Sequence, residues 1–180
     1  MTRWLKQAPE YDPQARLFRN DFSILSASGN DTAHQDHFFE TLQFLIAQGA
    51  PLGKPITISE FAFNTKDKAL QARFRRELLI TVFSHPSIDS FLMWGFWEGR
   101  HWKPDGAMLR RDWSGKSNYQ VWRDLVFKEW WTDVEVRTGA QGRFTTSGFL
   151  GAYLIESPFA AAATLQLAKQ GGSVALTARP

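Results

Sequence analysis

The chain has 180 residues, 43% of them hydrophobic, a formal net charge of +3 and no cysteine. That is enough chain and apolar content for one buried core with a small appendage, which argues against wholesale disorder; it excludes disulfide stapling and thiolate metal sites. The basic residues are scattered, with short clusters at Arg73, Arg75 and Arg76 and at Arg110 and Arg111. No nucleic-acid motif accompanies them, so they read as a solvated face rather than a phosphate-binding patch.

Eight Trp and fifteen Phe stand out. Such rings either fill cores or line surfaces where flat apolar ligands, including the C–H faces of sugars, can stack. The start, MTRWLKQAPEYDPQ, lacks the apolar run of a signal peptide and resembles the interior of a domain. The apolar stretch Phe159 to Leu165 is too short to cross a membrane.

In chain order, Ala15 to Leu25 (ARLFRNDFSIL) reads as a strand after the turn signal Asp12-Pro13. Asp31 or Thr32 could cap a helix to about Gln48, with Phe38, Leu42, Leu45 and Ile46 on one face and Gly49 ending it. Ile56 to Phe63 (ITISEFAF) is a compact apolar strand introduced by Pro55. A second amphipathic helix spans roughly Lys68 to Ser84, with Leu70, Phe74, Leu78 and Val82 at helical spacing and Pro86 beyond its end. Ile88 to Phe96 is another apolar strand. A third helix, about Ser117 to Trp130, carries Tyr119, Trp122, Leu125 and Val126.

Apolar strands alternating with amphipathic helices predict a parallel sheet covered by helices, an α/β fold. From about Asp133 the pattern changes. GRFTTSGFLGAYLIE and ATLQLAKQGGSVALTA read as short antiparallel strands, with KQGG as a hairpin connection. A boundary falls near residue 132, and no internal repeat is visible.

Glu60 lies near the C-terminal end of an apolar strand, where an ionisable group is costly unless it projects into a polar crevice. In α/β barrels that edge carries the active site. A structural ion pair or a surface group is the competing reading. The stretch WGFWEGRHWKPDGAML sets Trp94, Trp97 and Trp102 with Glu98, Arg100 and His101 at and past a strand end. This is either a loop over a site or a packed aromatic corner with solvated charges. His34 and His37, three apart on a helix, read as a solvated face rather than metal ligands. No metal and no cofactor are expected.

Together, ITISEFAF and FLMWGFWEGRHWKP resemble the acidic strand and the Trp-Gly strand with its Trp-bearing loop in glycoside hydrolase family 10, the retaining endo-β-1,4-xylanases. Upstream, ARLFRNDFSIL is similar to the family's fifth strand, with Asn20-Asp21 at its Asn-Asp pair. HQDHFFETLQFLIAQGAPL is similar to the helix that follows. Downstream, NYQVWRDLVFKEWWT and the Gly-Phe-Leu-Gly-Ala-Tyr segment resemble the closing helix and β-rich tail of some bacterial members. The match covers most of residues 10 to 156.

The resemblance implies retaining hydrolysis of a β-1,4-linked polysaccharide or oligosaccharide of xylan type. Glu60 stands at the nucleophile position, Trp94 and Trp102 at aromatic positions bordering the sugar, and Asn20 at a polar position near the cleft. It implies a partial (β/α)8 TIM barrel over residues 1–132, with C-terminal strands and helices only, and a β-rich extension over 133–180. It also suggests a secreted or periplasmic origin, and neither nucleic-acid nor membrane partners are expected.

Three departures from the family pattern bear on activity. The acid/base Glu, in an Asn-Glu motif ending the fourth strand, would precede residue 1. The sixth strand with its Gln-x-His motif would separate Leu52 from Pro55, where only Gly53-Lys54 stands. The Asp usual two residues past the nucleophile is Ala62. These make a fragment with an internal deletion the expected reading, and a non-catalytic carbohydrate-binding remnant using Trp94, Trp97 and Trp102 the alternative.

Overall fold

The computed structural model describes residues 55–179, together with Gln7, Glu10, Ser26–Ser28, Glu40, Leu42, Gln43, Ile46, Ala47 and Pro51. The expected strand over Ala15–Leu25, Asn20, Phe38, Leu45, Gly49 and the His34/His37 pair lie outside the described residues.

Strand β1 (Ser26–Ser28) pairs in parallel with β2 (Ile56–Asn64), and β2 pairs in parallel with β3 (Ile88–Met93), giving the order β1-β2-β3. Helix α1 (Lys68–Ser84) makes the crossover between β2 and β3. Parallel neighbours need such a connection, because a hairpin reverses the chain. The α/β reading of the sequence therefore holds.

The α1 helix begins where Asp67, in extended backbone, accepts a 2.9 Å hydrogen bond from the Leu70 N–H through Oδ1. It satisfies a donor that the first turn would otherwise leave bare. Asp67→Ala is expected to destabilise the fold by about 1 kcal/mol in a denaturant titration. The helix stops at His85, whose backbone is extended, just before Pro86.

The predicted stripe Leu70, Phe74, Leu78 and Val82 is buried as a set. It packs with Ile58, Phe61 and Phe63 of β2, and with Leu42 and Ile46 from helical positions upstream. Phe74 lies 4.6 Å from Phe63 and 6.0 Å from Phe61 between ring centroids, while Phe61 meets Phe91 at 5.5 Å. One apolar layer thus fixes helix to sheet.

Arg75 departs from the expected solvated basic face. Arg73 and Arg76 are exposed, but Arg75 is only 1% exposed. Its guanidinium lies 4.9 Å from the Phe61 ring centroid and donates through Nη1 to the Met93 sulfur. Nε and Nη2 have no hydrogen-bond partner among the described residues. Burial pushes its pKa down to about 9, which still leaves it cationic at neutral pH. The cluster looked uniform in sequence because three arginines in four positions span more than one helix face.

Strand β3 ends at Met93 rather than at Phe96, because Gly95 takes φ +79° and turns the chain out of the ladder. The third helix also differs in kind. It is α-helical over α2 (Ser117–Asp124), which packs beside α1, and continues as a π-turn over Leu125–Glu129.

The described chain divides into two compact units, one ending at Asp124 and the other starting at Leu125. In the second unit, β4 (Gly151–Ser157) and β5 (Ala160–Leu167) form an antiparallel hairpin. Its connection is Pro158-Phe159, and the expected KQGG connection follows β5, where Ala168 bridges Gly171 in antiparallel sense. Lys169-Gln170 turns the chain again, after which Ala178 bridges back to Ala160. The expected strand over GRFTTSG is irregular in the structure. The Tyr153 hydroxyl donates to the Phe149 carbonyl at 2.6 Å, tying that segment to β4 locally.

Candidate functional site

Within β2 the register jumps: Ile58 opposes Phe91, but Phe61 opposes Met93. Ser59 and Glu60 together therefore face Leu92 alone, a β-bulge at the predicted nucleophile position. A bulge re-aims the side chains that follow it. It lets Ile58 and Phe61 both serve the helix-facing core although three positions apart. Alternation after the bulge sets Glu60 and Ala62 on the face opposite Phe61 and Phe63.

The sheet pattern continues one step beyond β3, where the Trp94 N–H donates to the Phe61 carbonyl at 2.9 Å. This brings the start of the Trp-rich loop beside the strand segment that carries Glu60. The loop then folds back on itself. Met108 and Leu109 donate to the Phe96 carbonyl at 3.0 and 2.8 Å, and Glu98 N–H donates to the Leu109 carbonyl at 2.9 Å.

Trp94, Gly95, Arg100, His101 and Trp102 line an open depression of about 440 Å³. Trp94 and Trp102 are 50% and 59% exposed. Exposed indoles on a braced loop are suited to stacking on an apolar face of a ligand. The Lys103 ammonium sits 4.7 Å from the Trp102 ring centroid, covering part of that ring. Glu60 is not among the lining residues.

Trp97 parts from the other two. Its ring stacks on Trp113 at 5.1 Å with 12° between planes, and its indole N–H donates to the Arg111 carbonyl at 3.3 Å. The three tryptophans grouped in sequence therefore split between a depression and a packed corner. Trp113, at φ +67°, had no periodic signal to mark it.

Charged side chains brace the loop. Lys116 is buried and its Nζ reaches both Glu98 Oε2 at 3.1 Å and the Pro104 carbonyl at 2.9 Å. Glu98 is thereby engaged in structure. From α1, Lys68 Nζ bonds Asp105 Oδ1 at 2.8 Å, and Gln71 Nε2 bonds the Asp105 carbonyl at 2.7 Å. The Lys68 hydrogen bond holds the Asp105 carboxyl below its ordinary pKa, against a smaller opposing effect of burial.

Gly95 is required twice over. Its φ of +79° suits glycine, and a Cβ there would lie 2.9 Å from His101 Cδ2. Gly95→Ala is expected to cost roughly 1–3 kcal/mol in urea unfolding, combining backbone strain with a clash against a buried ring.

No protein-family model matches the chain. It is 32% identical over 172 residues to anti-sigma-I factor RsgI6 of Acetivibrio thermocellus, covering 83% of this chain and 22% of that protein. It is 24% identical over 178 residues to endo-1,4-beta-xylanase 3 of Arabidopsis thaliana, covering 83% of this chain and 23% of that one. Among solved structures, native xylanase 10B from Thermotoga maritima aligns with a TM-score of 0.47 and 18% identity, over 71% of this chain and 52% of that one. The chain spans about a fifth of the length of the curated relatives it matches. In sequence, the chain is similar to endo-1,4-β-xylanases over 83–84% of its length, at 24–25% identity.

Proposed function

We propose that this chain carries the nucleophile and part of the sugar-binding surface of a retaining β-1,4-glycosidase site for xylan-type chains. The observation that supports the reading is the bulge at Ser59-Glu60 beside the Trp94–Phe61 hydrogen bond. It sets a half-buried carboxylate next to the start of a loop that presents two exposed indoles.

In this reading Glu60 attacks the anomeric carbon and forms a glycosyl–enzyme bond, which water then hydrolyses. Trp94 and Trp102 hold the sugar by its C–H faces. The acid that protonates the leaving oxygen is assigned to no residue here. The parallel order β1-β2-β3 supports a partial (β/α)8 barrel; its compact unit ends at Asp124, ahead of the expected boundary near residue 132. Asn20 lies outside the described residues, and its role as a polar residue near the cleft rests on the sequence resemblance.

A second reading, carbohydrate binding without hydrolysis, is favoured by the make-up of the depression, which Trp94 and Trp102 line and Glu60 does not. A 2-deoxy-2-fluoro-xylobioside with a dinitrophenol leaving group separates the two. Such a leaving group departs without protonation, so the nucleophile alone can react. One covalent glycosyl adduct on the Glu60 peptide, seen by intact and peptide mass spectrometry, is expected. Saturable binding of xylo-oligosaccharide without an adduct would leave only the second reading.

A further inference from the structure

His101 lies between the two exposed tryptophans in sequence, and it is the most deeply buried of the residues lining the depression, at 7% exposure. Its ring is wedged between two glycines. A Cβ on Gly95 would approach Cδ2 to 2.9 Å, and one on Gly106 would approach Cε1 to 3.4 Å. Nδ1 accepts the Lys103 backbone N–H at 3.0 Å, directly after Trp102. One imidazole therefore spans the opening of the loop beside Trp94 and its close after Trp102.

We propose that His101 is the positioning residue of the Trp94/Trp102 depression: in its neutral form it fixes the spacing of the two indoles, and protonation releases it. The sugar-binding role of those indoles rests on the reading given above.

The hydrogen bond at Nδ1 dictates the tautomer. A nitrogen that accepts carries no proton, so the neutral ring is protonated at Nε2. Nε2 has no partner of ordinary hydrogen-bond geometry among the described residues. A proton added at Nδ1 would set N–H against the Lys103 N–H, and the ring would have to leave its slot.

The surroundings resist that charge. Lys116, just before α2, faces His101, and its countercharge Glu98 is already engaged with it. Arg100 and Lys103 flank the ring on its own loop. Asp105 is bonded to Lys68 of α1, and on β2 the near side chain beyond Gly106 is the uncharged Ala62, with Glu60 on the same face two residues earlier. Burial lowers the His101 pKa first; the Trp94 carbonyl opposes this and the Lys116 charge adds to it.

The sign follows. A histidine whose folded pKa lies below its unfolded value binds fewer protons when folded, so the braced loop is favoured above about pH 6.5 and is lost as pH falls through the folded value.

Asparagine offers a clean test, since its Oδ1 can accept the Lys103 N–H without titrating. The indole N–H resonances of Trp94 and Trp102, assigned by Trp94→Phe and Trp102→Phe, would be followed from pH 7.5 to 4.5. Xylotetraose affinity would be measured by calorimetry over the same range. In the wild type both resonances should move together in one transition below pH 6.5. Affinity should fall about tenfold as the binding-competent population shrinks. In His101→Asn both should stay level across that range.

Resonances that do not titrate in the wild type, or that titrate identically in His101→Asn, would overturn the proposal. Should His101→Asn fail to fold, the imidazole nitrogen shifts of the wild type decide: a proton on Nδ1 in the neutral ring, or an undepressed pKa, overturns it. If xylotetraose does not bind at any pH, the sugar-binding reading fails, and the ligand-free indole titration still judges the role of His101.

Discussion

Glu60→Gln is expected to take up no glycosyl label and to lower turnover of an activated xyloside by about 10⁴-fold or more, since the amide cannot form the covalent intermediate. The change keeps the size of the side chain, so the bulge at Ser59-Glu60 has no steric reason to move. Initial-rate kinetics on a dinitrophenyl xyloside, with circular dichroism to show an unchanged fold, would measure it. If Glu60→Gln and the wild type turn over equally, Glu60 is not the nucleophile. The activated substrate matters because it removes the need for an acid catalyst, so the comparison isolates the attacking carboxylate.

The second large effect concerns the layer beneath the site. Phe74→Ala is expected to destabilise the fold by about 3–5 kcal/mol, the range for truncating a fully buried aromatic ring. Phe74 is 1% exposed and touches both Phe61 and Phe63, the residues that flank Ala62 on β2. That loss is a large part of the 5–15 kcal/mol that small folds typically possess, so the urea transition should move to much lower denaturant or lose cooperativity. Ile80→Ala serves as the control, because Ile80 faces solvent on the same helix and its truncation should change stability by no more than about 0.5 kcal/mol. An equal shift in both variants would mean that the helix stripe does not hold the sheet.

The two variants also separate chemistry from architecture. Glu60→Gln should leave the unfolding midpoint in place while removing the label. Phe74→Ala should weaken labelling only through loss of the folded population. Labelling per folded molecule, obtained by dividing adduct yield by the native fraction, should therefore be unchanged in Phe74→Ala.

Helix α1 was legible in the sequence because its information is local. Leu70, Phe74, Leu78 and Val82 repeat at helical spacing, and an apolar stripe of that period has one face to bury. The same holds for β2: ITISEFAF is short, apolar and β-branched, bounded by Pro55 and a polar turn. Parallel pairing followed from alternation with helices. Glu60 and the Trp-rich loop were singled out by position at a strand end and by the motif resemblance.

What failed did so where a neighbour distant in sequence, or a single backbone torsion, decides. Nothing in Ile88 to Phe96 as an apolar run says that the ladder stops at Met93; Gly95 at φ +79° and the His101 ring packed on it do. Arg75 was read as solvated with Arg73 and Arg76, yet its guanidinium is enclosed by Phe61 and Met93 from two different strands. Trp97 was grouped with Trp94 and Trp102 by proximity in sequence, and Trp113, sixteen residues on, takes it away. In the tail KQGG turned the chain as expected, but the pairing of β4 with β5 across Pro158-Phe159 was not read, because β-pairing depends on which segments meet.

The sequence by itself determined the α/β class, the core stripe of α1, the strand that carries Glu60 and the likeness to xylanases, since periodicity and motif order are properties of consecutive residues. Only the tertiary structure decided that Glu60 sits on a bulge, that His101 is slotted between Gly95 and Gly106, and that Trp94 and Trp102 share a depression without Trp97. These depend on register, positive-φ turns and contacts between segments far apart in the chain, and such terms are fixed only when the elements pack against one another.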